Sequence, residues 1–140
     1  MPFKFVEDIT IADVAFEATG KDLTELFQSA AQAVIESLAN PKTVKPEIVK
    51  QIKIKEKDVE KLLFNFLEEI VYLKDKDAIV FNDVKVKVDE KKMEVTAMLT
   101  GDNIKPDEQE LHQDVKAVTM HYWLVEKKNG KWQATVVLDI

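Results

Sequence analysis

The chain has 140 residues, 46% of them hydrophobic and 33% charged, enough apolar material for the core of a single domain spanning 1–140. A formal charge of -6 speaks against autonomous nucleic-acid binding, which relies on basic surface, and is compatible with docking onto a basic partner. There is no cysteine, hence no disulfide, thiolate ligand or cysteine nucleophile; no apolar run is long enough to span a bilayer, and Met1-Pro2-Phe3-Lys4 lacks a signal-peptide core, so a cytoplasmic protein without membrane contact is expected.

In chain order, Phe3 to Val6 reads as a short strand and Asp8 to Thr10 as a polar break. Alternation of Val14, Phe16 and Ala18 with Ala15, Glu17 and Thr19 predicts a strand from Asp13 to Thr19, ending at Gly20. Asp22 with Glu25 forms an N-capping pattern, and Leu23, Leu26, Phe27, Ala30, Ala31, Val34, Ile35 and Leu38 follow at helical spacing until Asn40-Pro41. Ile48, Ile52 and Ile54 suggest a strand. Asp58 caps a second helix whose apolar face is Val59, Leu62, Leu63, Phe66, Ile70 and Leu73, and Lys74 to Asp77 reads as a charged turn. The period then changes to two. Ile79, Phe81, Val84, Val86 and Val88 lead through a turn at Asp89 to Lys92 into Met93, Val95, Ala97 and Leu99. Gly101 to Glu110 reads as a polar loop, its acidic residues Asp102, Asp107, Glu108 and Glu110 solvated. Two strands about Asn129-Gly130, a strong hairpin signal, end the sequence. The plan predicts an α+β domain, two helices packed on a mostly antiparallel sheet.

The candidate chemistry gathers at the end of that last hairpin. Val115, Ala117, Thr119, His121 and Trp123 alternate with Lys116, Val118, Met120, Tyr122 and Leu124, and folding about the turn sets roughly Val118 opposite Asp139, within two residues of register. His112, Lys116, Asp139 and the Ile140 carboxylate should then meet at one strand end. Singly, each has a plain reading: a loop histidine, a solvated strand lysine, a chain-end aspartate. Together, the two carboxylates repel unless a divalent ion or Lys116 neutralises them. Asp13, at the start of its strand, is either a turn residue or a third member; if it joins, the all-oxygen donors select a hard cation, Ca²⁺, Mg²⁺ or Mn²⁺, over zinc. His121, inside the strand, is expected to be packed or partly buried. No phosphate-binding Gly loop, nucleophile elbow or HExxH stretch is present, so the residues look like part of a site that needs something else.

These stretches resemble the archease family. Val115-Lys116-Ala117-Val118-Thr119-Met120-His121 is similar to its VKAVTYH element, and Ala134 to Ile140 resembles its C-terminal strand, which commonly ends in Asp-Ile. Ile11-Ala12-Asp13-Val14 is similar to HTADV, with Thr10 in the place of the histidine; Leu67 to Leu73 is similar to WLNELLYL; Gly101-Asp102 stands where the family usually has Gly-Glu. The resemblance covers essentially the whole chain and implies an activator rather than a free-standing enzyme. Archeases assist the tRNA-splicing RNA ligase, promoting guanylylation of its active-site histidine and multiple turnover. It further implies a metal site of Asp13, Asp139 and the Ile140 carboxylate, with calcium the first expectation, and a role for Lys116 in activating the partner; His112 joins it as a candidate from the clustering at the strand end alone. Two rival functions are a chaperone-like modulator of another RNA-modifying enzyme, such as a tRNA methyltransferase, and a small metal-dependent phosphohydrolase.

Overall fold

The computed structural model describes residues 3–6 and 13–140. The polar break at Asp8 to Thr10 and the Thr10-Ile11-Ala12 part of the family-like stretch lie outside the described residues. Strands β1 (Phe3–Val6) and β2 (Asp13–Gly20) precede helix α1 (Leu23–Leu38), and a single 3-10 turn (Pro41–Thr43) leads to β3 (Ile48–Lys55). Helix α2 (Val59–Asp77) is followed by β4 (Ile79–Asp89), β5 (Glu94–Asn103), β6 (Ala117–Lys128) and β7 (Lys131–Asp139). The expected α+β class with two helices holds, but the strands divide into two antiparallel sheets, ordered β1-β2-β7-β6 and β3-β5-β4.

Helix α1 explains the division. Asp22 caps its first turn by accepting from the Glu25 amide at 2.9 Å, and Asp58 does the same for α2 through Lys61 at 2.8 Å. An amphipathic helix lying on one sheet buries one stripe. Here Ser29, Ala33 and Ser37 are buried along with the predicted apolar face, because α1 packs on β2 and β7 of one sheet and on β4 of the other. The extra burial is polar as well as apolar. Gln28 donates to Val84 O at 2.6 Å and accepts from the Val86 amide at 2.8 Å; Thr24 accepts from the Val88 amide at 2.9 Å. Strand β4 is an edge, and these side chains satisfy the backbone groups that a missing neighbour strand would leave open. Phe27 of α1 stacks on Phe66 of α2, ring centroids 5.8 Å apart, at the centre of the core.

Two stretches depart from the expected boundaries. Lys74 to Asp77 is the last turn of α2 rather than a free turn, closed by Ala78 in the left-handed region (φ 52°). Lys74 is buried there because its amine finds three acceptors: Asp75 Oδ1 at 2.6 Å, Asp114 Oδ1 at 2.7 Å and Val115 O at 2.8 Å. Burial pulls the amine pKa down, but the bonds to Asp114 and Asp75 outweigh it and the net shift is upward. Asp102, expected in a solvated loop, is 4% exposed on β5 opposite Val80. Its carboxylate accepts from Lys105 Nζ at 3.1 Å and the Asn103 amide at 2.8 Å, and the Lys105 bond holds its pKa low. Its neighbour Gly101 is required by sterics, since a Cβ there would lie 2.0 Å from Val80 O.

Phe27→Ala should destabilise the fold by roughly 3–5 kcal/mol, as truncation of a buried Phe does; urea denaturation should report the loss without a change in slope. Lys74→Met should cost about 1–3 kcal/mol by leaving Val115 O without its donor. In the wild type this contribution is complete below the unfolded lysine pKa and disappears as pH rises through the elevated folded value. The stability difference between wild type and Lys74→Met should therefore narrow above about pH 10, as measured by denaturation across that range.

Candidate functional site

The ends of three strands form the site. Strand β2 begins at Asp13 and β7 ends at Asp139, and the two are direct partners in the antiparallel ladder. On the other side of β7, Ala117 at the start of β6 is the second partner of Asp139, within one residue of the register that the hairpin predicts. Opposed residues in such a ladder project to the same face with Cβ atoms roughly 4.5–5.5 Å apart. Asp13 and Asp139 are thus neighbouring carboxylates, both half-buried. The Lys116 amide donates to Asp139 O at 2.7 Å, which extends the ladder by one residue and fixes the Lys116 backbone beside the carboxylates; its side chain is exposed. Ile140 follows directly, half-buried against the core. Lys74 holds the approach to this end through Asp114 and Val115, so the two residues before Lys116 are anchored to α2.

His112 sits elsewhere in the network. Its amide donates to Leu38 O at 2.9 Å, and its ring reaches Glu36 O (Nδ1, 2.7 Å) and Glu110 Oε2 (Nε2, 2.8 Å). Both partners are acceptors, so only the doubly protonated ring serves both, and the bonds to Glu36 and Glu110 raise its pKa. A cation at the last carbonyls of α1 is favourably placed against the helix dipole. These bonds tie the loop before β6 to α1; Lys116 and Asp139 are not among the ring's partners.

Strand β6 does not alternate as predicted. Between the pairs Thr119↔Val137 and Leu124↔Thr135, five steps along β6 match two along β7. This bulge reverses which face each residue takes, so Val118 and Val125 are buried while His121 is exposed rather than packed. Tyr122 adopts φ 55°, uncommon for a bulky side chain, and Met120 and Tyr122 are 61% and 65% exposed. Trp123 turns inward, its ring edge against Phe64 at 5.4 Å. The exposed trio Met120, Tyr122 and Leu124 begins three residues, about 10 Å, along the strand from the Asp139 row. Nothing in the sequence pattern marked the bulge, since the alternation is unbroken there.

Among the described residues, the side-chain donors paired at the strand ends, Asp13 and Asp139, are oxygen alone. Among the described residues no three His, Asp or Glu side chains converge as a metal site. The side chains supply two carboxylates. Such a set suits a hard cation. Among the described residues no helix is long and apolar enough to cross a membrane.

The sequence matches the archease protein family (MTH1598/TM1083) over residues 3–140. The protein archease of Thermococcus kodakarensis is 34% identical over 132 residues, covering 92% of this chain and 93% of that protein. The protein archease of Methanothermobacter thermautotrophicus is 35% identical over 135 residues, covering 95% of each. The solution structure of Methanobacterium thermoautotrophicum protein 1598 superposes with a TM-score of 0.84 at 35% identity, covering 99% of both chains. A Thermotoga maritima crystal structure, described as an archease and possible chaperone, shares the fold at a TM-score of 0.66 and 17% identity, covering 94% and 93%. With this match along its length and these relatives, the chain belongs to the archease family.

Proposed function

We propose that this protein activates the tRNA-splicing RNA ligase, the enzyme that joins 2′,3′-cyclic-phosphate and 5′-hydroxyl RNA ends. It promotes guanylylation of the ligase's active-site histidine and restores multiple turnover. The observation that carries this reading is the row at the strand ends: Asp13 opposite Asp139, with the Lys116 amide bonded to Asp139 O. It sets two carboxylates opposite each other with the Lys116 backbone beside them and, among the described side chains of the row, no nucleophile, a set that can hold a cation but cannot complete a reaction by itself. The family membership supports the partner, and a charge of -6 suits insertion of this end into a basic, nucleotide-binding cleft.

Asp13, Asp139 and the Ile140 main-chain carboxylate would hold a divalent cation, Ca²⁺ first and Mg²⁺ or Mn²⁺ as alternatives. When bound, it would supply positive charge toward phosphate oxygens. Lys116 adds a compact, mobile ammonium suited to the same oxygens. The exposed Met120, Tyr122 and Leu124 next to this row offer an apolar surface for a protein partner. The same surface favours the second reading, a chaperone-like modulator of another RNA-modifying enzyme, and single-turnover guanylylation of the ligase with and without this protein separates the two.

Lys116→Ala should leave Tm unchanged, because an exposed side chain leaves no cavity, and should abolish the acceleration of ligase guanylylation. An unchanged rate from a folded variant would remove Lys116 from the mechanism. A C-terminal tag replaces the Ile140 carboxylate by a neutral carbonyl, and Asp139→Ala removes another donor. Both should weaken Ca²⁺ or Mn²⁺ binding in calorimetric titration and reduce activation in parallel. In the untagged protein, Tm should rise with the logarithm of metal concentration. Equal metal affinity in the tagged form would exclude the terminal carboxylate as a ligand.

A further inference from the structure

Among the described residues no helix covers the outer face of the β3-β5-β4 sheet, and its charge pattern is opposite to that of the whole protein. The ladders align its residues in rows. Gln51 pairs with Met98, which pairs with Lys85; Lys53 pairs with Thr96, which pairs with Lys87. All six side chains are exposed, and their inward neighbours Ile52, Val84, Val95, Ala97 and Leu99 are buried in the core. The two rows therefore hold three lysines and no carboxylate. Among the described residues none of the three forms a salt bridge, although Lys4, Lys50, Lys74 and Lys105 all do. Acidic residues lie only in the flanking rows: Asp83 beside Thr100 and Val49 on one side, Asp89 and Glu94 with Lys55 on the other. A shallow recess of ≈ 520 Å³ opens over the two central rows.

We propose that this face binds the phosphodiester backbone of single-stranded RNA. Lys85 and Lys87, two residues apart on one strand face, stand about 6.8 Å apart, and Lys53 lies two strand spacings, about 9.6 Å, from Lys87. Long, mobile ammonium side chains rooted at these spacings can reach more than one phosphate of the same strand, where a single compact anion would engage one of them. Between them Met98, 44% exposed, offers a polarisable apolar surface to a base, and Thr96 a hydroxyl to the ribose. An acidic polypeptide would meet the same charges but brings no base to lie on Met98 and no ribose hydroxyl to Thr96. The net charge of -6 does not forbid this local contact, because charges beyond about 10 Å are screened at 0.1 M salt. The flanking acids confine the footprint to the two lysine rows and keep the binding weak and salt-sensitive. The face belongs to the sheet that does not carry Asp13 and Asp139, so the inference stands independently of the ligase reading.

The test is fluorescence anisotropy of a short labelled oligouridylate with the intact protein. Three phosphate contacts to a single strand give a salt slope of about −2, so raising salt from about 25 to about 100 mM should weaken binding roughly 20-fold. The variant Lys53→Gln/Lys85→Gln/Lys87→Gln should keep its Tm and lose at least about tenfold in affinity, with a flatter salt dependence. A control of equal charge change on the other sheet and its loops, Lys21→Gln/Lys128→Gln/Lys131→Gln, should bind like the wild type. Should the control lose as much as the face variant, net charge rather than this face governs binding and the proposal fails. It fails equally if no binding is seen at low salt, if the face variant binds unchanged, or if polyglutamate or duplex RNA competes as well as single-stranded RNA.

Discussion

The fold depends on how α1 is satisfied from two sides. A helix between two sheets must offer small and apolar side chains nearly all round, and Ala30, Ala31 and Ala33 let the layers approach. What makes the arrangement specific is the pairing of Thr24 and Gln28 with the backbone of β4. Burying an edge strand against apolar surface would strand its amides and carbonyls, at roughly 1–3 kcal/mol for each unmet group. Two polar side chains on an otherwise apolar helix face remove that penalty and fix where β4 lies along α1. The second sheet cannot slide without losing them.

Held in this way, the first sheet presents its strand ends as a fixed row. Two carboxylates opposite each other are unfavourable in isolation, and the surrounding structure sustains their approach. The ladder sets Asp13 against Asp139 along eight consecutive pairs, and Lys74 anchors the residues leading into Lys116 through a buried amine with all three protons engaged. The rigidity of this end thus comes from α2 and the sheet, while the groups that would meet a partner stay at the surface. The adjoining bulge in β6 adds apolar surface and turns the sheet's free edge away from regular pairing, a common protection of edge strands.

Much of this architecture is legible in the chain itself because it is local. Capping by Asp22 and Asp58, the helical stripes behind them and the Asn129-Gly130 turn with both residues at positive φ all depend on neighbours a few positions away. The same turn fixes the pairs beside it, from Lys128 with Lys131 to Leu124 with Thr135, whereas the bulge beyond them sets Ala117 against Asp139 and so brings the Lys116 backbone there. His112 shows the limit of that reasoning. Proximity to Lys116 in sequence suggested one cluster, whereas Glu36 and Glu110 offer its ring two acceptors at the end of α1.

The sequence by itself determined the α+β class, both helices, the last hairpin and the family to which the chain belongs, since periodicity, caps and turn chemistry are short-range and the family-like stretches are contiguous. Only the tertiary structure decided the split into two sheets, the burial of Lys74 and Asp102, the exposure of His121 and the lysine rows of the second sheet. Each of these depends on partners distant in sequence. A charged side chain is buried when remote acceptors surround it, as Asp75, Asp114 and Val115 surround Lys74. A bulge changes the face of every residue beyond it without altering the pattern of residues along the strand.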